Sequence, residues 1–113
     1  MAVTAPRRGE LWWVNFDPRE GHEQAGRRPA LVLSHDAYNA RTGLMICLPI
    51  TSRPKGYRTE LPLPEGLNTR GVVLTSHVYT IDWDARQATF KERAPLALAE
   101  QAADMLAALI SGG

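Results

Sequence analysis

The sequence holds a single cysteine, Cys47, so no disulfide can close within the chain. Its seat in the apolar run LMICLPI marks the thiol for burial rather than reactivity. No stretch approaches the roughly 18 consecutive apolar residues that a membrane-spanning helix needs. The opening MAVTAPRRGE also lacks the apolar core of a secretory signal. These absences point to a reduced, cytoplasmic setting and away from any membrane. Three scattered histidines, His22, His35 and His77, show none of the paired spacing of zinc sites, so no metal is expected. Neither a G-x-x-x-x-G-K-[ST] nor a G-x-G-x-x-G loop occurs, which excludes nucleotide-driven chemistry and leaves no cofactor in view. Internal repeats, low-complexity tracts and linkers are absent as well. One domain over residues 1–113 is expected, with residues 1–8 as a loose N-terminus.

What is present suits a single core: 44% of the 113 residues are hydrophobic and 22% are charged. A chain of this size hides roughly two-thirds of its unfolded surface on folding, and pairing with a second copy would add to that. The net charge of +1 argues against a basic tail that wraps long DNA. Its distribution is more telling. Residues 1–58 carry 9 Lys and Arg against 5 Asp and Glu, whereas residues 59–113 carry 4 against 7.

ELWWVNF alternates Trp12, Val14 and Phe16 against Leu11 and Trp13, the period of two that makes a strand. Asp17-Pro18 ends it, and the polar, glycine-broken EGHEQAGRRP reads as a surface loop entering the strand ALVLS. Ser34 is placed to cap a helical turn through HDAYNA, and Gly43 to reverse the chain. LMICLPITS is a buried strand whose Pro49 signals a bend or an edge. TELPL, the β-branched VVLTSHVYTID and QATFKER add further strands, making five or six in all. From Pro95 the apolar residues Leu98, Ala102, Met105, Leu106 and Leu109 fall at helical spacing, and Gly112 stops the pattern. The expected fold is therefore mainly β: a small, strongly bent antiparallel sheet or barrel, with a C-terminal helix and short helical turns.

Chemistry concentrates at two strand ends. Arg27 and Arg28 precede Pro29, which biases Arg28 toward extended backbone and fixes the launch point of its side chain. A guanidinium offers phosphoryl oxygens planar, bidentate hydrogen bonds and stays charged at any physiological pH. An ion pair with Glu23 or Asp17 at the base of the loop is the competing use of this arginine. In PITSRPKGYR, the hydroxyls of Thr51 and Ser52 stand beside the cations Arg53, Lys55 and Arg58 and the ring of Tyr57. Cations interleaved with an aromatic ring are what a single-stranded nucleic-acid groove uses, and a solvated hairpin loop has the same composition.

Taken together, GELWWVNFDP, EQAGRRPALVLS and LPITS, in this order within residues 9–57, resemble the MazF/PemK (Kid) family of toxin endoribonucleases. The similarity continues through GVVLTSHVYTIDWDAR and covers nearly the whole chain. The resemblance implies an SH3-like barrel that forms a homodimer, with single-stranded RNA in a groove at the dimer interface. It also implies a MazE-like antitoxin that covers this groove, with DNA contacted only through the antitoxin. The implied activity is metal-independent, sequence-specific cleavage of RNA by attack of the 2′-hydroxyl on the adjacent phosphorus. It leaves 2′,3′-cyclic phosphate and 5′-hydroxyl ends, and its implied role is growth control inside the bacterial cell.

Carried over residue by residue, the family's essential arginine falls on Arg28 and its threonine on Thr51. Its loop glutamate falls on Glu23, an aromatic residue near the groove on Phe16, and the mobile loop after the threonine on Lys55 and Tyr57. Arg27 is matched only to a peripheral phosphate contact, and Ser52 adds a donor beside Thr51. The chain departs from the family at Ser76 and His77, where relatives carry an acid or amide pair on a strand expected to line the groove. An imidazole there could read a base or share a proton, or serve only a local hydrogen bond. His22 beside Glu23 is a second departure, read as non-catalytic. Two other functions remain: a CcdB-like toxin of the same fold that poisons a topoisomerase, and an RNA-binding barrel that cleaves nothing. The tail ALISGG lacks the aromatic anchor that the first would require.

Overall fold

The computed structural model describes residues 4–16 and 26–112. Its elements are β1 (Glu10–Phe16), β2 (Gly26–Val32), α1 (Asp36–Thr42), β3 (Leu44–Thr51), β4 (Glu60–Pro62), β5 (Val72–Leu74), β6 (Tyr79–Asp82), β7 (Thr89–Arg93) and α2 (Leu96–Ser111). The strands make one bent antiparallel sheet in the order β4-β5-β3-β2-β1-β7, with β6 on β3; the path has two ends and does not close. The mainly β architecture with a C-terminal helix is as expected, and seven strands replace the expected five or six.

Strand alternation sends apolar side chains to both faces, so the sheet divides two cores. Leu11, Leu31, Leu48, Ile50 and Val73 pack on one side with Leu98, Ala99 and Ala102 of α2. Burying a leucine such as Leu98 contributes about 1.5–3 kcal/mol. That face holds the helix, while its far end, with Leu109 and Ile110, stands exposed. Trp12, Val14, Phe16, Ala30, Met45, Cys47 and Trp83 form the second core on the other side. Burial pushes the Cys47 thiol up to about 12, so the cysteine is inert at neutral pH.

The bend comes at Pro49. Its ring has no N–H to donate, and β3 leaves its ladder with β2 at the Ala30–Pro49 pair and pairs β5 through Ile50 and Thr51. β6 and β5 divide one edge of β3 between them, β6 on Leu44–Cys47 and β5 beyond the bend. The expected single strand VVLTSHVYTID is therefore two strands. Ser76 and His77 lie in the turn between them, closed by the His77 N–H donating to the Leu74 carbonyl at 3.1 Å.

Three other expectations are corrected. Ser34 does not cap α1, whose N-cap is His35. Its hydroxyl instead donates to Asn39 Oδ1 and accepts the Ile46 N–H, tying the helix to β3. Residues 6–8 are not loose: the Pro6 carbonyl accepts Asn39 Nδ2 at 2.8 Å, and the Arg8 N–H donates to Asp36 at 2.9 Å. Finally, β2 begins at Gly26, so Arg27 and Arg28 belong to the strand rather than to a loop before it.

Candidate functional site

Strand register places the central pair. Val14 faces Arg28 across β1 and β2, so the arginine leaves the sheet on the side of Val14 and Phe16, where the strand end brings it out of the core. Along β3, Thr51 shares the parity of Met45 and Cys47, which puts it on the same side. The β2–β3 ladder ends at Ala30–Pro49, so Arg28 lies two residues before that last pair on β2 and Thr51 two residues after it on β3. The Thr51 hydroxyl accepts the Arg53 N–H at 3.1 Å, which fixes its oxygen and leaves its hydrogen to donate outward.

Two clefts flank this strand end. The first, of about 310 Å³, runs from Thr51 between the 52–59 segment and the β5–β6 turn, and Tyr57, Glu60, Ser76 and His77 line it. Its loop is held from below: Glu60 accepts the N–H groups of Lys55 at 3.0 Å and Gly56 at 2.9 Å. Tyr57 is 64% exposed, a ring presented rather than packed. The second cleft, of about 380 Å³, borders Arg27, Arg28, Ser52, Arg70 and Lys91 over the ring of Trp13. Lys91 sits 5.3 Å above that ring and donates to the Thr69 hydroxyl.

Two further contacts position Thr51. Gly71 (φ +122°) lies against the strand end so closely that a Cβ there would fall 2.0 Å from the Thr51 carbonyl oxygen. Only glycine fits both that space and that backbone. The segment leading to it is clamped by Glu92, whose carboxylate accepts from the Asn68 N–H at 3.0 Å, the Thr69 N–H at 2.8 Å and the Thr69 hydroxyl. Burial alone would raise the Glu92 carboxyl, but these hydrogen bonds and the charge of Lys91 outweigh it and hold the group below its ordinary value.

The site thus gathers Arg28, Thr51, Ser52, Lys55, Tyr57, Ser76 and His77 around one strand end. Arg27 does more than line its cleft: its guanidinium donates to Thr89 Oγ1 at 2.7 Å and to the Gln87 carbonyl at 3.3 Å, pinning β2 to the start of β7. Phe16 is corrected. It is 2% exposed and packs on Tyr79 with ring centroids 4.8 Å apart, because its parity with Trp12 and Val14 sends it into the second core. Glu23 and His22 lie outside the described residues. Thr59, Glu60, Arg70, Gly71, Lys91 and Glu92 were missed; Gly71 alone carried a signal, as the glycine that opens a β-branched strand.

A bent, open seven-stranded sheet with this strand-end site defines a class. The profile of the PemK-like, MazF-like toxin of type II toxin-antitoxin systems matches residues 7–110, and the chain belongs to that family. Among its relatives, the endoribonuclease toxin MazF of Escherichia coli K12 is 50% identical over 86 residues, 76% of this chain and 77% of that one. The endoribonuclease PemK of Escherichia coli is 36% identical over 109 residues, 92% of this chain and 81% of its own length. The crystal structure of MazF from Deinococcus radiodurans superposes with a TM-score of 0.89 at 48% identity, covering 95% of this chain and 97% of that one. A MazE-MazF complex from the same organism gives 0.81 at 43% identity, covering 94% and 95%. Among the described residues, no helix is long and apolar enough to cross a membrane.

Proposed function

We propose that this chain is the toxin of a type II toxin-antitoxin pair and acts as a metal-independent endoribonuclease on single-stranded RNA, silenced by a MazE-like antitoxin that covers its groove. The observation that carries this reading is the shared side of Arg28 and Thr51, each two residues beyond the last pair of the β2–β3 ladder. The names of the Escherichia coli relatives support the activity, and the solved MazE-MazF complexes support the partner. A homodimer in the cytoplasm, with the groove where the two copies meet, is the assembly that the family resemblance favours.

In the proposed reaction, the ribose 2′-oxygen attacks the adjacent phosphorus and loses its proton to a base, while the bond from phosphorus to the 5′-oxygen breaks and that oxygen takes up a proton. The products are a 2′,3′-cyclic phosphate and a 5′-hydroxyl, and no other reactant is consumed. Negative charge grows on the equatorial phosphoryl oxygens at the transition state. A fixed guanidinium and an outward hydroxyl hydrogen act on that charge more strongly there than in the ground state. Arg28 is assigned to charge stabilisation, because a guanidinium surrenders a proton only far above neutrality. Tyr57 and His77 give the first cleft two flat faces on which a base can stack.

The test is cleavage of a long unstructured RNA, in chelator, by wild type and Arg28→Ala, with the new ends sequenced and their termini identified. We expect cuts at one short motif with cyclic phosphate ends, reduced by roughly 100-fold or more in the variant. An Arg28→Ala protein as active as wild type removes the assignment, and inert wild type on several RNAs removes the enzyme.

A further inference from the structure

The two clefts lie on opposite sides of the same strand end. Thr51 borders the first and Ser52, its neighbour, the second; Trp13, Arg27, Pro29 and Ile50 share the parity of Ser52. Around the second cleft stand three cations of that face, Arg27, Arg70 and Lys91, with Arg28 at its rim and no carboxylate among its described lining residues. Behind it lies Glu92, 3.5 Å from Lys91, with its oxygens turned to Asn68 and Thr69. Among the described residues, one carboxylate against Arg27, Arg70 and Lys91 leaves this face of the cleft electropositive. Arg70 is exposed, and it directly precedes Gly71, which lies against the Thr51 carbonyl, so its backbone is anchored next to the proposed reaction centre.

We propose that the second cleft is a subsite for an RNA phosphate neighbouring the scissile one, with Arg70 and Lys91 as its charge-bearing residues. The proposal rests on the ribonuclease reading and deepens it. Arg28 at its rim and Ser52 beside Thr51 favour the substrate backbone over another anion, because a strand that presents one phosphate to Arg28 has its next phosphate within reach of this cleft. The first cleft, with its exposed ring and its own carboxylate Glu60, is suited to a base; the second is suited to a phosphodiester.

The test separates binding from cleavage. Wild type, Arg70→Ala and Lys91→Met, the last keeping its apolar stem over Trp13, are titrated with an oligonucleotide carrying 2′-deoxyribose at the cut, which binds without reacting. The same variants are assayed for KM and kcat on the all-ribose strand. We expect each variant to weaken binding about 3- to 10-fold at moderate salt, with the loss appearing in KM rather than kcat. The slope of log K against log salt should fall by about 0.7 per variant. Unchanged affinity and slope, while Arg28→Ala still abolishes cleavage, overturns the subsite alone. So does a loss confined to antitoxin binding, which would make the cleft the seat of an acidic protein segment. A wild type that binds no RNA overturns the ribonuclease reading with it.

Discussion

Thr51 is held on three sides: by the β5 ladder, by the Arg53 N–H and by the backbone contact of Gly71. Gly71→Ala tests how much of its placement comes from the last. The new methyl would fall 2.0 Å from a carbonyl oxygen, backbone that cannot swing aside as a side chain can, so the strand end must shift. Misplacement of a reacting group by about 1 Å costs on the order of 100-fold in rate. We expect kcat on a single-stranded RNA to fall roughly 10- to 100-fold with KM little changed, alongside a loss of stability of about 1–3 kcal/mol from the strained backbone. Thr51→Ala, assayed in parallel, should be the more severe lesion. If Gly71→Ala turns over at the wild-type rate while Thr51→Ala is dead, the glycine is not what positions the hydroxyl.

At the scale of elements, the 63–71 segment connects β4 to β5 and is fastened to β7 by the Glu92 carboxylate and, at Thr69, by Lys91. Because its folded pKa is lowered, the stability it contributes is fully present above the ordinary glutamate range near about pH 4.3 and is lost as pH falls through the lowered value. Glu92→Gln keeps one acceptor and removes the charge. It should cost about 1–2 kcal/mol at pH 7, and the denaturation curves of variant and wild type should converge as pH falls through the lowered Glu92 value. Parallel curves across this range would show that the clamp is not electrostatic. This clamp also marks where sequence reasoning stopped. Alternation and paired glycines made β1, β2, β3 and α2 legible, and the arginine pair and LPIT pointed to the strand ends. Proline at 49 announced a bend, yet not that β3 would change partners there, so Ser76 and His77 were assigned to a strand instead of a turn. Phe16 was matched to the groove by resemblance alone, and its period of two with Trp12 and Val14 accounts for its place in the second core. Contacts such as Glu92 with Thr69, 23 residues apart, leave no local signature, since neither residue alternates or caps anything.

For the whole molecule, a net charge of only +1 conceals a cluster of cations around one cleft. If RNA bound through stacking alone, affinity would respond little to salt; if it bound through a diffuse positive surface, every basic residue would matter equally. The arrangement here predicts a third behaviour. Arg28, Arg70 and Lys91 border one cleft, while Arg41 and Arg86 lie outside both clefts. Neutralising about three phosphates releases counterions with a slope of about −2 in log K against log salt for a single strand. We expect that slope for the uncleavable oligonucleotide, unchanged in Arg41→Ala, and an association rate that falls with it as steering is screened. A slope near zero would leave the basic cleft without a role in RNA binding and shift the weight to the stacking faces of Tyr57 and His77, whereas an equal response to Arg41→Ala would mean that the field is spread over the surface rather than built at the strand ends.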